Sequence, residues 1–168
     1  TEEQLKQLYD YPITGTELQV RKRTEIRDLF VLQCLVGQRV GDMQKFFNGD
    51  NEKDEEEDTI SIIQQKTKAR AIIPLTPLAK EIISKYQNTE LKYYKPSNSN
   101  LNAELRIIAE EAGLNIPITF EDKDGKQVKP LFELVHTHTA RHTFITIMCR
   151  RDIPKETIII ATGHEDTK

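Results

Sequence analysis

The sequence predicts an α+β domain, predominantly α-helical with a small antiparallel β-sheet. Three observations carry this. Most apolar residues recur at helical spacing, in stretches opened by Thr, Asn or Pro and closed by glycine. Two β-branched runs, Thr59–Ile63 and Arg70–Pro74, flank a short polar segment as the strands of a hairpin do. A length of 168 residues suits one domain with its own core.

In chain order, Thr1 with Gln4 forms a capping box that opens a short helix through Leu5 and Leu8, ended by Pro12. A first residue that is already a cap reads as a domain taken from a longer chain. The longest periodic stretch, 17–35, carries Leu18, Ile26, Leu29, Phe30, Leu32, Gln33 and Leu35, and Gly37 is placed to end it with a positive φ. A second helix is expected from about Val40, which puts Arg39 at a helix-to-helix turn. The hairpin follows, with Lys66 and Lys68 at its tip. Helices are expected at 76–87 and 101–112, the latter capped by Asn100 and ended by Gly113. Segments 116–120 and 126–128 around 122–125 read as a second small hairpin or loop excursion. From about 138 a helix presents Ala140, Phe144, Ile147 and Met148 up to Cys149, and Pro154 starts another that runs to Gly163. The sequence shows no internal repeat.

The net charge of -3 argues at first against a nucleic-acid partner. Its distribution reverses that. Residues 50–58 hold seven acids against Lys53, which leaves a surplus of three positive charges on the rest of the chain. So many like charges in sequence repel and stay hydrated, so the run reads as a solvated loop pointing away from any DNA. Cys34 and Cys149 sit in apolar helical patterns without metal-ligand spacing and read as reduced core residues. No apolar run is long enough to span a membrane and no leader opens the chain, so the expected location is the cytoplasm.

The chemistry concentrates in four short stretches: Gly37-Gln38-Arg39, Gln65-Lys66-Thr67, His138-Thr139-Ala140-Arg141 and Gly163-His164. Arg and Lys suit a phosphodiester because they are cationic at every physiological pH, and Arg can fork two hydrogen bonds onto two phosphate oxygens. His138 and Arg141 are three apart on a helix, so they share a face. Alone, such a pair is commonly a solvated surface feature. Arg39 after a helix-ending glycine, Lys66 on a hairpin tip and His164 after Gly163 are also presented rather than packed.

These motifs resemble the catalytic domain of tyrosine recombinases, the integrases of phages and conjugative elements. The family's first box, T-G-x-R-[IV]-[SG]-[DE]-[LM], reads Val36-Gly37-Gln38-Arg39-Val40-Gly41-Asp42-Met43. The second, H-x-x-R-H-[ST]-F, reads His138-Thr139-Ala140-Arg141-His142-Thr143-Phe144. The family's hairpin lysine lies shortly before a V-P-L or I-P-L segment, as Lys66 does before Ile73-Pro74-Leu75, with Lys68 as runner-up. Its L-G-H reads Thr162-Gly163-His164. The likeness covers nearly the whole chain.

The resemblance implies the recombinase catalytic-core fold and strand exchange on double-stranded DNA through a 3′-phosphotyrosyl intermediate, with no metal or other cofactor. Arg39 and Arg141 would clamp the scissile phosphate, Lys66 would act as general acid, His138 would handle the nucleophile's proton and His164 would donate to the phosphate. Asp42 would be the acidic support beneath them. Partners would be further recombinase protomers, as a tetramer on paired sites. The nucleophilic tyrosine falls about nine residues after His164 in the family, past Lys168. Tyr9, Tyr11, Tyr86, Tyr93 and Tyr94 read as core-edge or loop residues. Residues 1–168 are therefore expected to be a single catalytic domain without the N-terminal DNA-clamping domain or the tyrosine segment, and on their own to bind DNA weakly and not cleave it. Rival readings are a type IB topoisomerase, which uses a similar cationic set, a DNA-binding regulator that has lost catalysis, and a zinc site on His136, His138, His142 and His164. The cationic neighbours Arg39 and Arg141 weigh against the last.

Overall fold

A computed structural model describes residues 1–163. Helix α1 (Glu2–Asp10) begins on the Thr1 capping box, and α2 (Glu17–Val36) begins on a second one formed by Thr16 and Gln19. α2 is the axis of the molecule. Ile26, Leu29, Phe30, Val31, Leu32, Cys34 and Val36 are all buried, so its C-terminal half is covered on every side. Helices α3 (Pro77–Lys85), α4 (Leu101–Glu111) and α5 (Thr137–Arg150) pack around it together with α1, and α6 (Lys155–Thr162) bridges α5 to the sheet.

That sheet is antiparallel, in the order β1 (Glu52–Asp54), β2 (Thr59–Ile63), β3 (Arg70–Pro74). Ile60 and Ile62 with Ala71 and Ile73 give its buried apolar residues. A separate two-stranded hairpin, β4 (Pro117–Asp122) with β5 (Gly125–Pro130), is mostly exposed.

Several expectations are corrected. The acidic run is not simply a loop, because Glu52–Asp54 pair with β2 as an edge strand; its side chains are nonetheless exposed, so hydration and pairing coexist. After Gly37 the chain forms a 3-10 helix, Val40–Phe46, rather than an α-helix. Cys34 is buried but Cys149 is exposed, since it lies one residue beyond Met148 and so about 100° round α5 from the packed face. Leu18, in the first turn of α2, is 64% exposed. Tyr94 is not at an edge but fully buried, its hydroxyl donating to Gln33 Oε1.

Charge is also buried on α2. The Asp28 carboxylate is held by Arg27 (2.9 and 2.7 Å), Lys85 (2.6 Å) and the Tyr86 hydroxyl (3.0 Å). Glu25 Oε1 accepts the backbone N–H groups of Tyr93 and Tyr94, at 2.7 and 2.9 Å, and so ties down the loop between α3 and α4.

Gly37 ends α2 at φ 67, and a Cβ there would fall 2.4 Å from Phe144 Cδ1. Gly37→Ala is therefore expected to cost about 2–5 kcal/mol, combining left-handed strain with overpacking against a ring, measured by denaturant unfolding. Native protein should react with a thiol reagent at Cys149 only. Burial raises the Cys34 thiol pKa as well as hiding it, and its labelling should appear only on unfolding.

Candidate active site

Arg39 sits at the start of the 3-10 helix, directly after the turn that Gly37 makes. α5 reaches this turn because Gly37 leaves room for Phe144, and the Arg141 side chain, one turn earlier on α5, donates to Gly37 O (3.3 Å) and Thr162 O (2.8 Å). The two arginines thereby line one cavity of about 420 Å³ with Lys66 and His138. Three chain segments, spread over more than a hundred residues of sequence, supply these four side chains.

The hairpin tip is anchored beneath that cavity. Asp42, itself buried, accepts the Gln65 backbone N–H at Oδ1 (2.8 Å) and lies 3.2 Å from Lys45 Nζ. The carboxylate thus ties the 3-10 helix to the hairpin tip. The two hairpin lysines part company here. Lys66 lines the cavity of the two arginines, whereas Lys68, at φ 59, lines a neighbouring hollow of about 500 Å³ with Lys45 and Arg70.

His138 is exposed in the first turn of α5, where the helix dipole favours an anion. Thr139 shapes that turn, its hydroxyl donating to His136 O (2.7 Å) and accepting from His136 N (3.2 Å). Burial, then the nearby His138, lowers the His136 pKa. Among the described residues no cluster of His, Cys, Asp and Glu has the geometry of a metal site. His164 lies outside the described residues.

The cavity is electropositive at some cost to the protein. Burial, and next the charge of Arg39, pull the Arg141 pKa down to about 10, with Asp42 opposing. Because the folded value lies below the unfolded one, the charged guanidinium costs stability at neutral pH, and that cost is relieved as pH rises through about 10 and above. An oxyanion between the arginines would relieve it without deprotonation.

Sequence reasoning missed the polar layer behind the cavity. Gln33, Gln38 and Gln64 are buried, and their amides run from α2 to the end of α6. Gln33 Nε2 donates to Gln38 O (2.8 Å), and Gln38 Nε2 donates to Val36 O (3.0 Å) and Ala161 O (2.6 Å). A glutamine beside a hairpin tip reads as solvated. The signal that it is not is Gly163, whose hypothetical Cβ would meet the Gln64 amide at 2.6 Å.

The family model of the phage integrases matches residues 1–168. The chain belongs to the phage integrase family. Membership bears out the resemblance to a tyrosine recombinase catalytic domain. An Flpe mutant solved in complex with a DNA Holliday junction shares the fold, with a TM-score of 0.50 at 12% identity. The alignment covers 98% of this chain and 44% of that one, so this phage integrase domain spans less than half the length of that protein. No curated protein matches the chain. No helix among the described residues is long and apolar enough to cross a membrane.

Sulfate at ten times its dissociation constant should stabilise the protein by about 1.4 kcal/mol, which is about 3–6 °C in melting temperature. The shift should vanish in Arg39→Ala and Arg141→Ala, which leaves only the small general effect of an excluded salt. Equal shifts in wild type and both variants would show that the arginines hold no anion.

Proposed function

We propose that the chain is the catalytic domain of a site-specific DNA recombinase that cuts and rejoins strands through a 3′-phosphotyrosyl intermediate. The observation that carries this reading is the convergence of Arg39, Lys66, His138 and Arg141 on one cavity. Two arginines can neutralise the charge that builds on the non-bridging oxygens, doing by hydrogen bonds and cationic charge what metal ions do in other phosphoryl-transfer enzymes.

In the proposed reaction a tyrosine hydroxyl from beyond Lys168 attacks the phosphorus in line, and the bond to the 5′-oxygen breaks. His138 takes the tyrosine proton. Lys66 gives a proton to the departing 5′-oxygen, and His164 donates a hydrogen bond to the phosphate. Reversal by the 5′-hydroxyl of another strand completes the exchange. Asp42 supports the set by fixing the tip that carries Lys66. Integration or excision of a mobile or phage element, by a tetramer on paired sites in the cytoplasm, is the role this activity fits.

The natural chain extended past Lys168 should form a covalent protein–DNA adduct on a nicked substrate carrying its site, in the presence of chelator, scored on a denaturing gel. Arg39→Ala and Arg141→Ala should abolish the adduct while leaving the fold intact. Site-specific binding without adduct by the wild-type chain would favour a regulator instead. Lys66→Ala should slow cleavage by about 100-fold or more, the range of general acid catalysis, and be rescued by a substrate with a better 5′ leaving group. Lys68→Ala should do neither, and equal slowing by both variants would remove Lys66 from the role of acid.

A further inference from the structure

Gln64 uses every hydrogen-bonding position of its amide. Nε2 donates to Gln38 Oε1 (2.7 Å) and to Thr162 O (2.7 Å), while Oε1 accepts from Arg39 Nη1 (3.2 Å) and Thr67 Oγ1 (2.8 Å). The side chain is wholly buried. It begins the hairpin tip, with its own backbone bonded to Ala69 and Lys68. One amide therefore touches the first motif, the hairpin lysine's turn and the last turn of α6.

We propose that Gln64 is a positioning residue of the strand-transfer site, holding the Arg39 guanidinium towards the cavity while fastening the Lys66 hairpin to the end of α6 beside Gly163. The inference rests on the strand-transfer reading above. The choice of an amide follows from what Arg39 has to do. A glutamate at this position would hold the guanidinium more strongly but would neutralise it, taking away charge meant for a phosphate. A leucine or methionine would fill the space and leave Arg39 without a guide. The neutral amide orients the cation and leaves its charge available.

The fastening to α6 has the same source. Thr162 O takes hydrogen bonds from both Gln64 Nε2 and Arg141 Nη2, so the α6 terminus is shared between the hairpin and the second arginine. Gly163, at φ 60, permits this because any side chain there would displace the amide. His164 is the next residue in sequence.

The test uses the natural chain extended past Lys168, with sulfate as the anion probe and a nicked cognate DNA as substrate. In Gln64→Met the sulfate-induced rise in melting temperature should be lost and adduct formation should fall by about 100-fold, the effect expected of a displaced catalytic group, with DNA affinity unchanged. A side chain that serves only the fold would lower the melting temperature and leave the sulfate shift intact. Should that variant not fold, Thr67→Val removes the half-buried hydroxyl that donates to Gln64 Oε1 and accepts a longer bond from the Ala69 N–H, and should shrink both readouts in the same direction. A folded Gln64→Met, or in its absence Thr67→Val, with wild-type sulfate shift and wild-type cleavage overturns the proposal. A wild type that fails to cleave while Gln64→Met still loses the sulfate shift would overturn strand transfer but support the hold of Gln64 on Arg39.

Discussion

The approach of Phe144 to Gly37 is the contact on which the geometry of the cavity depends. A Cβ at residue 37 would lie inside the ring's van der Waals surface, so α5 can close against the end of α2 only because that residue has no side chain. The same residue takes the left-handed conformation that stops α2 and turns the chain into the 3-10 helix. One position therefore fixes both the direction in which Arg39 leaves and the distance at which α5 arrives. Arg141, one turn before Phe144, follows as a consequence and is pinned by its bond to Gly37 O. A larger residue would move both arginines at once.

Gly163 repeats the device at the end of α6, with Gln64 in place of the ring. The difference is that the partner is polar, and a polar group in the interior is tolerated only if its hydrogen-bonding capacity is met. The relay from Gln33 through Gln38 to Gln64 meets it, and Tyr94 closes the far end on Gln33. An apolar core in the same volume could slide by small amounts, because dispersion contacts are not directional. Hydrogen-bonded amides cannot, since each displacement strains or breaks a directional bond. Such rigidity suits a pair of like charges. Arg141 is held in its charged form below about pH 10 against both burial and Arg39, which is a strain the scaffold must resist at every neutral pH.

Much of this was legible in the sequence, for identifiable reasons. The Thr1 capping box, the Gly37 terminus and the β2–β3 hairpin are local signals, carried by residues that touch their own neighbours. The four motif residues that line the cavity announced themselves by residue type and order. What stayed hidden depends on packing between distant segments. Gln64 is polar, beside a turn, and buried only because α6 lies over it. Cys149 and Leu18 sit in sequences that look apolar, and their exposure is decided by where α5 and α2 run out of partners. Asp54 and its neighbours look too charged for a strand, yet an edge strand with both faces in water does not require apolar residues.

The acidic run also bears on how a chain of net charge -3 could hold a polyanion. β2 leads from the turn at 55–58 to the tip that bears Lys66, and five residues of strand span about 15 Å. That exceeds the Debye length of about 8 Å at physiological salt, so the four consecutive acids at the turn are largely screened from the cavity. Two acids of the run are further answered locally, Glu52 by Arg70 at 2.5 Å and Asp58 by Lys80. The field a phosphate would meet at the cavity is accordingly set by Arg39, Arg141 and Lys66 with Asp42 beneath them, not by the sum over the chain. Net charge is thus the wrong quantity for judging a nucleic-acid partner when a strand separates most of the acids from the bases, although Asp50 and Glu52 lie nearer the hairpin tip.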